Sequence, residues 1–313
     1  MDVLEMQIKV KNAVIGGSKA YTLLNEGKVV GERVGEIQTP FGKSQPIFLV
    51  KDKDIEFLFL TRHGEKGYEL NASSVNYQAN IYALKELGVE RILAWSGPGA
   101  INEDLKPGQY LLPDDLIDET KSRVLSFYGK NSGIGFIRSS PVFCPQLSNE
   151  MEILLNELGF KGNKGGVYVC TEGPRLETKA EIKKFKLLGA DVVGMTLIPE
   201  VFLARELEMC YVALCYITNY AEGIKEKKGY KKATLFDGLI TKEAMKKVDK
   251  SVQQFPEIIK EFYKRLLFKD RNCNCNQLMA RYKERIGNNW HNWIPCNRSG
   301  SPLPQRRRGT EKT

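Results

Sequence analysis

The stretch GGVYVCTEGPRLETKAEIKKFKLLGADVVGMTLIPEVFLARELEMCYVALCYITNYAEG, residues 165–223, decides the fold. It holds three apolar runs of strand length, GGVYVC, ADVVG and CYVALCYI, separated by two segments with helical spacing. Each apolar run breaks into a polar loop: TEGPRLE (171–177), GMT (194–196) and TNYAEG (218–223). Alternation of strands with helices of this length predicts an α/β layer fold around a central, largely covered sheet.

The same grammar extends toward the N-terminus. RILAWSGPGA (91–100) is a strand running into a glycine-rich loop, and VNYQANIYALKELG (75–88) has one apolar helical face closed by Gly88. QPIFLV (45–50) and IEFLFLTRHG (55–64) read as adjacent strands, and IKVKNAVIGGS (8–18) as a strand ending in a Gly-Gly-Ser turn. QYLLPDDLIDE follows a Pro-Gly turn. NEMEILLNELGF (149–160) reads as a helix with Asn149 and Glu152 spaced as a capping box, and 241–267 as a long amphipathic helix bent at Pro256. The polar loops all follow strand C-termini, where open α/β folds bind ligands. The chain has no 20–50-residue internal period.

Composition is that of an ordinary globular protein, 42% hydrophobic and 27% charged, with no apolar run long enough to span a bilayer. The N-terminus is too acidic and interrupted for a secretory signal, so the chain is read as cytoplasmic with no membrane partner. The net charge of +9 suggests nucleic acid, but its distribution argues otherwise: residues 269–313 carry +7 and residues 1–268 only +2. Cys144, Cys170, Cys210 and Cys215, in the body, read as small buried hydrophobes rather than disulfide partners.

Several loop residues bear chemistry. Gly17 and Ser18 after a strand offer backbone N–H groups and a hydroxyl to an anion, although the same triplet serves as a tight turn. Arg62 and His63 end a very apolar strand, where a cation needs either an acidic neighbour or an anionic ligand. Ser96, Gly97 and Thr196 add hydroxyls and amides; Met195 taken alone reads as core. Together these fit a bound oxyanion such as phosphate. The chain has two histidines, His63 and His291, and no GxSxG, HExxH, Walker or metal-spaced cluster in its body, so phosphate itself reads as a reactant.

At these residues the sequence resembles the trimeric purine nucleoside phosphorylase and methylthioadenosine phosphorylase family. The resemblance spans roughly residues 10–265 and rests on VIGGS, TPFGK, RHG, VNYQANIYALKELGVERI, LKPGQYLLPDDLID, SFY, CTEGPRLETKAEIKKFKLLGADVVGMTLIPEVFLARE and CYVALCYITNYAEG. It implies one domain, residues 1–268, with a central mixed β-sheet covered by helices. It also implies phosphorolysis: inorganic phosphate attacks C1′ of a purine nucleoside, with no covalent enzyme intermediate, no cofactor and no metal. By position, Ser18, Arg62, His63, Ser96, Gly97 and Thr196 would hold phosphate, Met195 would lie against the ribose, and Asn219 would meet the purine at N7 and the 6-substituent. The partners implied are a purine nucleoside, phosphate and further copies of the chain, as a homotrimer or hexamer.

The base site is informative within that resemblance. Methylthioadenosine phosphorylases carry aspartate where this chain has Asn219, and a second aspartate at the position of Ala221. An amide has both a donor and an acceptor, which suits a 6-oxopurine. Glu177 replaces a small serine of those enzymes and would accept the N1–H of inosine or guanosine; read alone, it is equally a first-turn helix residue favoured by the dipole. Salvage of 6-oxopurine nucleosides is the leading expectation, with S-methyl-5'-thioinosine or S-methyl-5'-thioadenosine as alternative substrates, since no histidine between His63 and His291 is available to meet a 5′-hydroxyl. GGSKAY for GGTGL, an extra residue in RHGEKGYELNAS and Pro98 in SGPGA depart from the family and motivate an alternative of another class, a catalytically impaired nucleoside-binding protein.

The remainder, residues 269–313, matches nothing in that family. Its Asn, Arg and Pro content predicts a basic, disordered extension. Cys273, Cys275, His291 and Cys296 make a poor zinc pattern, and Arg306-Arg307-Arg308 reads as a solvated charge run.

Overall fold

The computed structural model of the chain describes residues 8–128, 134–160, 162–225 and 238–294. Among them, eight strands form one mixed sheet in the spatial order 162–164, 110–112, 210–216, 91–96, 12–16, 55–61, 47–52 and 32–35. The four central strands are parallel neighbours, whereas 47–52 pairs antiparallel with both 55–61 and 32–35. The central strands are apolar on both faces because helices cover both. In Arg91–Ser96, Ile92 and Ala94 enter one core, and Leu93 and Trp95 the other. In Ile55–Thr61, Leu58 and Leu60 oppose Phe57 and Phe59 in the same way. This two-residue period splits the interior into two layers. Helices Tyr77–Glu86 and Leu197–Glu206 pack together on the first layer; Pro145–Glu157 and Lys242–Leu266 pack on the second.

A second, five-stranded sheet has the order 115–119, 167–171, 192–194, 99–100 and 219–220. Three of its strands continue strands of the first sheet after a short break: 91–96 resumes at 99–100, 210–216 at 219–220, and 110–112 at 115–119. Helix Lys179–Leu187 covers this sheet through Ile182 and Phe185. The seam between the sheets is therefore lined by backbone that has left one ladder and not yet joined the next.

One helix reading shifts. The helix expected over 149–160 begins at Pro145, because proline at the first helical position has its φ preset and lacks an N–H that would be unsatisfied there; Asn149 and Glu152 thus lie inside the helix. The helix Lys242–Leu266 runs as one element through Pro256.

The extension differs more. Residues 269–294, expected to be disordered, form the helix Ala280–Ile286 and two short 3-10 turns packed on the body. Met279, Tyr282 and Trp293 make a small core with Tyr128, Ile134 and Ile137, and Lys283 pairs with Glu208 at 2.7 Å. A few large apolar residues suffice to anchor a segment whose average composition is polar. His291 stacks on Trp290 and bonds Glu86 at 3.0 Å. Cys296 and Arg306-Arg307-Arg308 lie outside the described residues.

Candidate active site

A cavity of about 400 Å3 opens at the seam. Every residue that the resemblance assigns to binding or chemistry lines it. Ser18, Arg62, His63, Ser96, Gly97 and Thr196 lie there, as do Met195, Glu177, Asn219 and Ala221. They come from six separate strand ends, which is why the site needs the whole fold.

The first wall is built around Arg62. Its side chain is fully enclosed, and Glu200 meets it with both carboxylate oxygens, at 2.5 Å to Nε and 2.8 Å to Nη2. Tyr211 donates to the same carboxylate at 2.8 Å, and Arg62 Nη1 donates to the Trp95 carbonyl at 3.2 Å. The acidic neighbour that sequence reading set beside an anionic ligand as an alternative is present, though from a distant helix. A guanidinium has five N–H donors, so three used here leave two for a ligand. Gly17 brings its backbone against this wall: a Cβ there would lie 2.7 Å from the Trp95 carbonyl oxygen, so no other residue fits without displacement.

His63 is 3% exposed, and its ring stacks on Tyr68. Burial, reinforced by the neighbouring Arg62 charge, lowers its pKa to about 4, so the ring is neutral near pH 7. Its Nδ1 lies 2.8 Å from the Leu70 carbonyl. A carbonyl only accepts, so Nδ1 carries the proton and Nε2 is left as an acceptor. With Arg62 balanced by Glu200 and His63 neutral, this wall offers directed donors more than net positive charge. The hydroxyls of Ser96 and Thr196 stand 3.4 Å apart, and Tyr168 holds Ser96 at 3.2 Å.

The opposite wall carries Glu177 and Asn219. Thr178 caps the helix Lys179–Leu187 with a reciprocal Glu181 box, so Glu177 falls just before the helix and turns inward, 8% exposed. Burial raises its pKa, while a 2.5 Å hydrogen bond from the Thr171 hydroxyl opposes that shift by favouring the anion. Asn219 is 6% exposed. Its Nδ2 donates to the Tyr220 carbonyl at 2.8 Å, which fixes which end of the amide is nitrogen. Its Oδ1 accepts from the Thr218 hydroxyl at 2.6 Å. One N–H and one lone-pair direction of the amide remain for a ligand. Ala221, Leu176, Val193 and Leu239 give this wall an apolar surface.

Sequence reading did not find the residues that hold these groups. Glu200, Tyr168 and Thr218 act on Arg62, Ser96 and Asn219 respectively. Arg123 donates to four carbonyls, of Thr171, Glu172, Met195 and Ile198, at 2.5–3.1 Å, and so ties two loops of the cavity together. A buried partner far along the chain leaves no local pattern.

Comparison with known proteins identifies the family. The family model described as the phosphorylase superfamily matches residues 13–263. The chain is 41% identical over 266 residues to a Methanocaldococcus jannaschii protein named "Probable S-methyl-5'-thioinosine phosphorylase", covering 85% of this chain and 96% of that one. It is 38% identical over 274 residues to the 6-oxopurine nucleoside phosphorylase of Pyrococcus furiosus, covering 85% and 97%. Among solved structures, a methylthioadenosine phosphorylase from an antarctic soil metagenomic library superposes with a TM-score of 0.76 at 29% identity, covering 88% of this chain and 92% of that one.

Proposed function

The chain belongs to the phosphorylase superfamily, and from that premise we propose that the cavity performs phosphorolysis of 6-oxopurine nucleosides with the residues placed at its two walls. The protein is a purine nucleoside phosphorylase, a pentosyltransferase. In this reading an oxygen of inorganic phosphate, held by Ser18, Gly97, Ser96, Thr196 and the two remaining N–H groups of Arg62, forms the bond to C1′. The C1′–N9 bond breaks, its electron pair enters the purine, and the departing base takes up a proton from solvent in place of the one that hydrogen phosphate gives up. The Asn219 N–H meets that charge at N7 and O6, and ionised Glu177 accepts the N1–H. Met195 packs on the ribose. Such catalysis is positioning and charge stabilisation, so the reading requires no enzyme nucleophile and no cofactor; phosphate is the second substrate. His63, neutral, accepts a proton-bearing phosphate oxygen through Nε2.

The observation that carries this reading is the pairing at the base wall: an oriented amide and a hydrogen-bonded carboxylate, both buried. Adenine nucleosides lack the N1–H and present an amino donor at position 6, which leaves buried groups unmatched. A substrate panel tests it: inosine, guanosine, adenosine, S-methyl-5'-thioinosine and S-methyl-5'-thioadenosine, each with and without phosphate. Phosphate-dependent release of hypoxanthine is expected, with kcat/KM for adenosine at least about 100-fold lower. Equal use of adenosine would overturn the base assignment, and binding without product in saturating phosphate would favour an impaired binding protein. S-methyl-5'-thioinosine shares the same base and is kept as a second substrate because a relative carries that name. Residues 226–237 lie outside those described. Assembly as a homotrimer or dimer of trimers and a cytoplasmic setting belong to the same proposal, and light scattering on the purified chain tests the first. Among the described residues no helix is long and apolar enough to cross a membrane.

A further inference from the structure

Four of the seven cysteines converge away from the cavity. Cys144, Cys210, Cys273 and Cys275 place their sulfurs all within 4.8 Å of one another, with Cys210 and Cys273 at 3.4 Å. Two belong to the body: Cys144 sits at the N-cap of helix Pro145–Glu157, and Cys210 opens strand Cys210–Tyr216. Two belong to the extension, where the Cys-x-Cys spacing straddles the start of a 3-10 turn. All four are free thiols, and three are buried.

We infer that these four cysteines form a tetrathiolate site for one zinc ion. Zinc–sulfur bonds of about 2.3 Å in a tetrahedron place the sulfurs about 3.8 Å apart, the spacing that the cluster approaches. Four sulfurs and no oxygen or nitrogen ligand select a borderline-soft cation over magnesium or calcium. Binding displaces four thiol protons to solvent and leaves a centre of net charge −2. The surroundings match that charge. Arg205, 4% exposed, faces Cys144 and Cys275, and Arg271 lies against Cys210 and Cys273. Neither guanidinium is neutralised by its hydrogen bonds: Arg205 donates to the carbonyls of Val142 and Arg138, and Arg271 to that of Glu208. The Nε of Arg205 is buried with no partner. An enclosed guanidinium and a half-buried one beside four thiols are costly unless the sulfurs are anionic. The helix N-terminus at Cys144 favours the same ionisation.

His291, which sequence spacing groups with Cys273 and Cys275, bonds Glu86 instead and is not in the cluster, and Cys296 lies outside the described residues. The ion would fasten residues 273–275 of the extension to the body, at a site sharing no residue with the cavity. Elemental analysis of the full chain, purified without added thiol or chelator, tests this. About one zinc per chain is expected, falling at least tenfold in Cys273→Ser and in Cys275→Ser but not in His291→Ala or Cys296→Ser. Because Cys273 is only half-buried and outside the catalytic machinery, the variants are expected to retain phosphorolysis, which confirms that they fold. Adding zinc chloride to chelator-treated wild type should restore the stoichiometry and raise Tm. Protein with no zinc, iron in its place, four fewer titratable thiols on denaturation without reductant, or undiminished zinc in Cys273→Ser would each overturn the assignment.

Discussion

Replacing Glu200 with glutamine is the most direct test of how the anion wall is assembled. The substitution keeps the shape and removes the charge. In the native protein Arg62 is wholly enclosed, both its Nε and Nη2 are matched by Glu200, and the same carboxylate accepts from Tyr211. A glutamine amide has one oxygen where the carboxylate has two, so its NH2 must face either a guanidinium or a hydroxyl that also seeks an acceptor. An enclosed cation loses its counter-charge. Removing one partner of a buried ion pair costs about 3–5 kcal/mol. At about 2 °C per kcal/mol for a chain of this size, Tm falls by about 6–10 °C. On the proposed reading inorganic phosphate supplies an anion beside Arg62, so saturating phosphate should raise Tm more in Glu200→Gln than in the wild type. Adding Arg62→Met to Glu200→Gln removes the orphaned cation and should recover at least half of the lost stability. Thermal unfolding of the three proteins, each with and without phosphate, reads all of these. A fall of under about 2 °C, or a double variant less stable than the single, would refute the argument that Glu200 neutralises Arg62 and aims it at the cavity.

Other outcomes follow from the same walls. Asn219→Asp should lower the inosine-to-adenosine ratio of kcat/KM at least about tenfold, and an unchanged ratio would remove Asn219 from base recognition. Because burial raises the Glu177 pKa, protonation at mildly acidic pH should weaken 6-oxopurine use above the ordinary carboxylate range; this acid limb should vanish from the kcat/KM profile of Glu177→Gln. Gly17→Ala should raise KM for phosphate at least about tenfold while leaving hypoxanthine affinity near wild type, since the added methyl meets the Trp95 carbonyl. His63 has a folded-state pKa of about 4 against an ordinary 6.5, so the unfolded chain binds the proton more readily. Its contribution of about 3 kcal/mol is present above pH 6.5 and is lost as pH falls toward 4; chemical denaturation across that window should show a shallower slope in His63→Gln.

Much of this was legible in the chain itself. The alternation over 165–223 fixes a covered sheet, because only strands shielded on both faces can be apolar at every position. Placing ligands at strand C-termini brought Ser18, Arg62, Ser96, Thr196 and Asn219 together before any coordinates. What stayed hidden depends on long-range packing. RILAWSGPGA reads as one strand and a loop, yet it serves two sheets, since Gly97 and Pro98 interrupt one ladder and Gly99 joins another. The identity of Arg62's partner needed a contact across 138 residues. The extension misled because polar averages conceal three or four apolar anchors, and because the partners of its Cys-x-Cys lie in the body.

The four-carbonyl grip of Arg123 has a bearing on how such a site changes over generations. One planar cation reads the 171–172 and 195–198 segments at once, so lengthening or shortening either would unseat both. Loop remodelling, the usual route to a new ligand, is thereby closed on this side of the hollow. On the proposed reading of the base wall, selectivity is left to single-residue exchange on a fixed frame, at 177 and 219.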